Sequence, residues 1–257
     1  MMNKKALITG AGRGIGESTC LRLAKNKNLI IAVSRTKKNL IELKKRLDKI
    51  NGLNNIIISL DLIKNDSVKK LSKILKEKKI FPDIVVNNVG GNLSYNDPLG
   101  PASEWREVMR INVEVAIEIN RVVIPHMIKK KWGRICHISS ISALENQGPP
   151  AYCAAKSALN AYVRSVGRYV SPHNIIMTTV MSGPITSKGN YWDIAKKERP
   201  EHYKKFINER VAIKRLGNTK EISEVVVFLC SENSSFCVGS CFLVDGGQGK
   251  VFYPNDF

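Results

Sequence analysis

Seven short apolar runs, spaced along the chain by stretches of helical periodicity, constrain its fold more than any other feature. They lie at 6–9, 29–34, 56–60, 83–87, 134–139, 175–181 and 241–244. Several are β-branched and lack polar alternation, as expected of strands covered on both faces. The intervening stretches near 15–26, 37–50, 66–79, 103–131, 152–170 and 219–230 carry helical spacing. Such alternation predicts an α/β protein with a seven-stranded parallel sheet, flanked by helices on both faces and joined by right-handed crossovers. No Gly/Pro/Ser-rich linker or internal repeat interrupts the pattern, so 1–257 reads as one domain.

One segment breaks the rhythm. Residues 184–215 place Tyr191, Trp192, Tyr203 and Phe206 among many charges between two core elements. A long late insertion of this kind is expected to act as a lid over a substrate. Tyr191, Trp192 and His202 hint at a polar or sugar-like ligand.

The first apolar run ends in Thr9-Gly10-Ala11-Gly12-Arg13-Gly14-Ile15-Gly16 and leads into a helical stretch. Ile15 takes the last Gly slot of GxGxxG, leaving the related spacing of Gly10, Gly14 and Gly16. Glycines there let the backbone turn tightly and approach a pyrophosphate, which then meets a helix N-terminus. The fold expected is therefore a doubly wound, Rossmann-type domain. At the end of the second run, NAD sites usually carry an acid that bonds the ribose hydroxyls. Here the chain reads Ser34-Arg35-Thr36, with no carboxylate. Arg35 and Arg13 can both bond a 2′-phosphate, so the expected cofactor is NADP(H).

Tyr152-Cys153-Ala154-Ala155-Lys156 places a phenol and an ammonium on one helical face. A free tyrosine has a pKa of roughly 10 and exchanges protons poorly at neutral pH. A fixed cation beside it favours the phenolate and brings that value toward the working range.

At these residues the chain resembles the short-chain dehydrogenase/reductase family, and the resemblance runs through nearly the whole sequence. Thr9 to Gly16 resembles TGxxxGIG. Asp61-Leu62 resembles the DL/DV pair whose Asp contacts adenine. Asn87-Asn88-Val89-Gly90 resembles NNAG, with Val for Ala. Asn112 matches the helix Asn that holds a water in the proton relay. Arg134 to Ser140 resembles GRIVNISS, Tyr152 to Lys156 matches YxxxK, and Ser182-Gly183-Pro184-Ile185 resembles PGPI, with Ser for Pro. The closing segments around Arg215-Leu216-Gly217 and Val244 to Gly247 also match. The resemblance implies a catalytic set of Asn112, Ser140, Tyr152 and Lys156, with Lys156 also bonding the nicotinamide ribose. It implies cofactor contacts from the glycine turn, Ser34, Arg35, Asp61, Leu62, Asn88, Val89, Gly90, Gly183, Ile185 and Ser187. The serine is ambiguous by counting: Ser139 lies thirteen residues before Tyr152, the family's usual spacing, and Ser140 twelve. Aligning Gly133-Arg134-Ile135 favours Ser140. Successive strand residues face opposite ways, so only one of the two should meet the substrate.

The activity implied is hydride transfer between NADP(H) and a carbonyl or secondary alcohol. The substrate expected is a 3-oxoacyl thioester, free or carrier-bound, or a polar keto compound. A sugar reductase in a surface-glycan pathway is the alternative, and a non-catalytic NADP-binding protein the competing class. Members commonly assemble through the long helices, so a homo-oligomer is expected. His126 and His137 read as structural.

The net charge of +19 invites a nucleic-acid reading. The lysines, however, are spread along helices with acids among them, and no aromatic-plus-basic motif is present. Neither nucleic acid nor membrane is therefore expected as a partner. No apolar stretch approaches the roughly 20 residues of a membrane span. The six cysteines form no CxxC pair, so a reducing cytoplasm and no metal are expected.

Overall fold

A computed structural model of the protein describes residues 3–145 and 147–250. The extreme ends of the expected 1–257 domain, and Asn146, lie outside them. All seven apolar runs form strands: β1 (Lys5–Thr9), β2 (Leu29–Ser34), β3 (Ile56–Ser59), β4 (Ile84–Asn87), β5 (Gly133–Ser140), β6 (Ile175–Ser182) and, last in the chain, β9 (Cys241–Val244). They make one seven-stranded sheet in the order β3-β2-β1-β4-β5-β6-β9, with every pairing parallel.

Helices α1 (Gly14–Lys25), α2 (Lys37–Asn51), α3 (Ser67–Glu77), α4 (Ala102–Met109), α5 (Val115–Lys130), α6 (Pro150–Val170) and α9 (Thr219–Leu229) cover the two faces. Alternate strand residues feed two cores. Ala6, Ile8, Ile30 and Ala32 pack under α1, α2 and α9 with Leu23, Leu40, Leu43 and Val226. Leu7, Ile31, Val33 and Val85 pack under α3, α5 and α6 with Leu71, Ile119 and Val163. Each such buried Leu, Ile or Val contributes about 1.5–3 kcal/mol relative to exposure. Leu40, Leu43 and Leu47 form the buried stripe of α2. That helix ends at Gly52, whose φ of +69° suits the left-handed cap. At the start of α9, the Asn218 side chain accepts from Glu221 N while Glu221 bonds Asn218 N, a capping box.

One expectation needs correction. The stretch 103–131 is not one helix, because a π-helical turn, Arg110–Glu114, separates α4 from α5. The Asn112 amide donates to the Val108 carbonyl at 2.8 Å, competing for an acceptor of the helical ladder, and a group inserted there opens the turn. Residues 184–215, expected to act as a substrate lid, hold regular structure. They contain strand β7 (Ile185–Thr186), which pairs with β8 (Gly217–Asn218), and the helix pair α7 (Tyr191–Glu198) and α8 (Pro200–Arg210). Their aromatic residues pack on one another: Trp192 lies 4.1 Å from Phe206 and 4.9 Å from Tyr191 between ring centroids.

Candidate active site

β1 and β4 are neighbours, and the chain leaves the sheet from their C-terminal ends in opposite directions, which opens a crevice there. Gly10 (φ +63°) makes the turn out of β1, and Gly14 (φ +63°) opens α1. Two other glycines stand in close contact, Gly16 against backbone and Gly12 against a side chain. A Cβ on Gly16 would sit 2.4 Å from the Gly10 carbonyl oxygen, and one on Gly12 2.8 Å from Ser34 Oγ. The turn is tied to β4. Asn88 Nδ2 donates to Thr9 O at 3.0 Å and to Gly10 O at 3.2 Å. Thr9 Oγ1 accepts from the Asn88 and Val89 amides at 2.9 and 3.1 Å.

A cleft of about 760 Å³ runs from this turn. Arg13, Ser34 and Arg35 line one side of it, and Asp61 and Leu62 follow from the end of β3. Both arginines are exposed, and neither has an ion-pair partner among the described residues. A glycine cradle that a Cβ would fill, with two unpaired guanidinium groups beside it, fits a dinucleotide carrying a third phosphate.

The other end of the cleft holds Ser140, Tyr152 and Lys156. Ser140 ends β5, is 9% exposed and lies beside the Tyr152 phenol, whose pKa it works to lower. Its Oγ also accepts from Ser142 N and lies 3.1 Å from Ser142 Oγ. Lys156, one turn after Tyr152 on α6, is buried. Its Nζ donates to Ile138 O at 2.8 Å and stands 5.5 Å from the Tyr152 ring centroid. Gly90 leaves room for both groups, since a Cβ there would come within 2.7 Å of Asn112 Oδ1 and 3.0 Å of Lys156 Nζ. Asn112 stands behind this wall: its Nδ2 donates to Gly91 O and its Oδ1 accepts from Gly91 N. Gly183, Ile185 and Ser187 close the opposite wall.

The sequence matches the short chain dehydrogenase family over residues 4–197. The chain belongs to that family. A 3-oxoacyl-[acyl-carrier-protein] reductase of Buchnera aphidicola is 33% identical over 95% of this chain and 97% of its own. The enzyme of that name from Pseudomonas aeruginosa is 30% identical over 96% and 98%. Among solved structures, L-sorbose reductase from Gluconobacter frateurii, complexed with NADPH and L-sorbose, superposes with a TM-score of 0.89 at 26% identity, covering 96% of this chain and 97% of that one. Acetoin dehydrogenase from Salmonella typhimurium superposes at 0.86 with 28% identity, covering 100% and 99%. This short-chain dehydrogenase is thus an oxidoreductase acting on CH–OH or C=O groups with a nicotinamide cofactor.

Of the residues expected to contact cofactor or substrate, only Gly16 and Asn112 do not line the cleft of this dehydrogenase. Ile63, Ile111 and Asn190 line it without having been anticipated. No motif marked them, because their place depends on the path of neighbouring loops. The hydroxyl of Ser140, not Ser139, meets the phenol. Ser139 Oγ is buried and has no hydrogen-bond partner among the described residues. Tyr191, Trp192 and His202, expected to hint at the ligand, do not line the cleft and pack among themselves instead.

Burial shifts both members of the Tyr152–Lys156 pair. Burial dominates at Tyr152 and raises the phenol above its ordinary value, with the Ser140 hydrogen bond working against the rise. Burial also weakens the Lys156 ammonium, to about 7.

His137 is structural, as expected. Its ring is fully buried, Nε2 accepts from the amides of Asn87 and Asn120 at 3.1 and 3.0 Å, and Nδ1–H donates to Thr178 O at 3.3 Å. Burial holds the ring neutral, with its pKa lowered to about 4. The unfolded chain therefore binds this proton first, and stability falls as pH drops from 6.5 toward 4, by roughly 3 kcal/mol from this residue. Chemical denaturation at several pH values is expected to show that loss in the wild type. His137→Asn should lack this component of the slope.

Proposed function

We propose that this short-chain dehydrogenase uses NADP(H) to reduce the ketone of a 3-oxoacyl thioester. The observation that carries the reading is a single cleft joining Arg13 and Arg35 at one end to Ser140, Tyr152 and Lys156 at the other. The likeness to two 3-oxoacyl-[acyl-carrier-protein] reductases supports the thioester. The strongly positive surface suits an acidic carrier.

The bound cofactor would supply the hydride, and the chain supplies the remainder. Arg13 and Arg35 bond the 2′-phosphate, and the N-terminus of α1 faces the pyrophosphate. Ser140 donates a hydrogen bond to the carbonyl oxygen as negative charge builds there. Tyr152 gives that oxygen its proton, completing the alcohol. A phenol held above its ordinary pKa is protonated throughout the neutral range, as an acid must be before it acts. Lys156 then returns a proton to Tyr152. The side chain of Asn112 is committed to Gly91 and Val108, so its part in the relay is to hold the opened turn, whose carbonyls can accept from water.

A second reading, reduction of a keto-sugar, is favoured by the superposition on L-sorbose reductase. The polar residues Asn92, Ser94 and Ser182 along the cleft also suit a hydroxylated substrate. A screen of NADPH oxidation with acetoacetyl thioesters against keto-sugars tests both. Turnover of neither removes both. Ser140→Ala is expected to lower kcat by about 100- to 1000-fold, whereas Ser139→Ala keeps nearly the wild-type rate. Steady-state kinetics of the pair checks the assignment.

A further inference from the structure

Arg110 opens the π turn, yet it takes no part in the proton relay described above. It is only 9% exposed. Its guanidinium grips Glu118 at two points, Nη1 to Oε1 at 2.6 Å and Nη2 to Oε2 at 3.0 Å. Glu118 lies eight residues on, in α5, so the pair spans the π turn. Glu114 approaches Nη1 at 3.5 Å from within it. Such a planar, two-point contact fixes the direction of the remaining nitrogen. That nitrogen, Nε, donates to the Ile63 carbonyl oxygen at 3.3 Å.

Ile63 belongs to the loop that leaves β3 and, with Asp61 and Leu62, lines the cleft. Three strands separate β3 from β5 in the sheet, so this loop lies at the opposite end from Ser140. Beyond Leu60, whose amide donates to Ser34 O at 2.9 Å, its remaining hydrogen bonds are local. Asp61 Oδ1 accepts from Ile63 N, and Asp61 O accepts from Lys64 N and Ser67 Oγ. Arg110 brings it a bond from an element 47 residues away. Ile111, the next residue of the π turn, lines the same cleft.

We propose that Arg110 is a positioning residue for the adenine end of the cofactor, holding the Asp61–Ile63 wall against the turn that carries Ile111 and Asn112. The proposal rests on the NADP(H) reading. A merely structural brace would also explain a buried arginine with two glutamates. The two explanations part at the adenosine half of the ligand.

The probe is 2′,5′-ADP, which carries the adenosine and the 2′-phosphate without a nicotinamide. Its binding to the full chain is measured by calorimetry, beside steady-state kinetics with NADPH. Arg110→Lys keeps a cation near Glu118 but has no nitrogen placed to reach Ile63. It is expected to weaken 2′,5′-ADP binding about tenfold, the effect of one lost hydrogen bond to a charged donor. KM for NADPH should rise by a similar factor, while kcat at saturating NADPH and KM for the carbonyl substrate stay near wild type. Glu118→Gln frees the guanidinium without removing it and is expected to give a smaller loss in the same direction. It carries the test if Arg110→Lys does not fold. Unchanged 2′,5′-ADP affinity in these variants overturns the proposal. So does a kcat that falls as far as cofactor affinity, which is the signature of a brace alone. Failure of the wild type to bind 2′,5′-ADP overturns the NADP(H) reading itself, and this proposal with it.

Discussion

Tyr152→Phe is expected to lose about a thousandfold in kcat, within the range that one positioned general acid supplies. The substitution isolates the hydroxyl. The ring packs against the buried cluster that includes Ala151, Ala155 and Leu159, and phenylalanine keeps that packing. What disappears is the oxygen that faces Ser140. Ser140 Oγ still accepts from Ser142 N, which holds it in place while its one proton turns from Ser142 Oγ toward the carbonyl. Cofactor affinity, followed by NADPH fluorescence, should be nearly unchanged, and the loss should fall on the turnover step. A variant that kept most of its rate would mean that the substrate oxygen takes its proton from another source, and the assignment of Tyr152 would fail.

Arg35→Asp is expected to invert the cofactor preference. The arginine is exposed and carries no ion pair among the described residues, so its replacement disturbs no internal contact. With NADPH, it removes a charge-assisted bond and places a carboxylate against a phosphate. The expected fall in kcat/KM is about 100-fold. With NADH, the new carboxylate can accept from the ribose hydroxyls, and kcat/KM should rise. Kinetics with both cofactors checks the prediction. Equal losses with both would mean that Arg35 supports the turn without reading the phosphate.

The central strands β1, β2, β4, β5 and β6 were legible because they are buried on both faces, which leaves uninterrupted runs such as Leu29–Ser34 with no polar alternation to confuse them with a helix. The glycine turn was legible for a similar reason, since contacts as close as that of Gly16 with the Gly10 carbonyl admit one residue type. Periodicity could not show the break at Arg110–Glu114. The apolar spacing of 103–131 continues across it, and the cause is a hydrogen bond from Asn112 to its own helix and to Gly91. Counting could not decide between Ser139 and Ser140, because the loop after β5 sets the distance to Tyr152 and its length is free to vary. The electrostatics of the pair were also hidden. Spacing places Lys156 beside Tyr152, but how deeply each is buried depends on α4, β5 and the Gly90 loop closing around them.

The close approach of Gly12 to Ser34 limits how such a protein can be re-engineered. A Cβ at Gly12 would stand 2.8 Å from the Ser34 hydroxyl and 3.4 Å from the Cβ of Asn39. The phosphate turn and the end of the second strand therefore share one steric allowance, and a bulkier residue at position 34 would push the turn out of shape. Position 35, whose side chain is exposed along the cleft, lies outside that allowance. A library aimed at changing the electron donor should vary residue 35 freely, keep residue 34 small, and leave residue 12 alone.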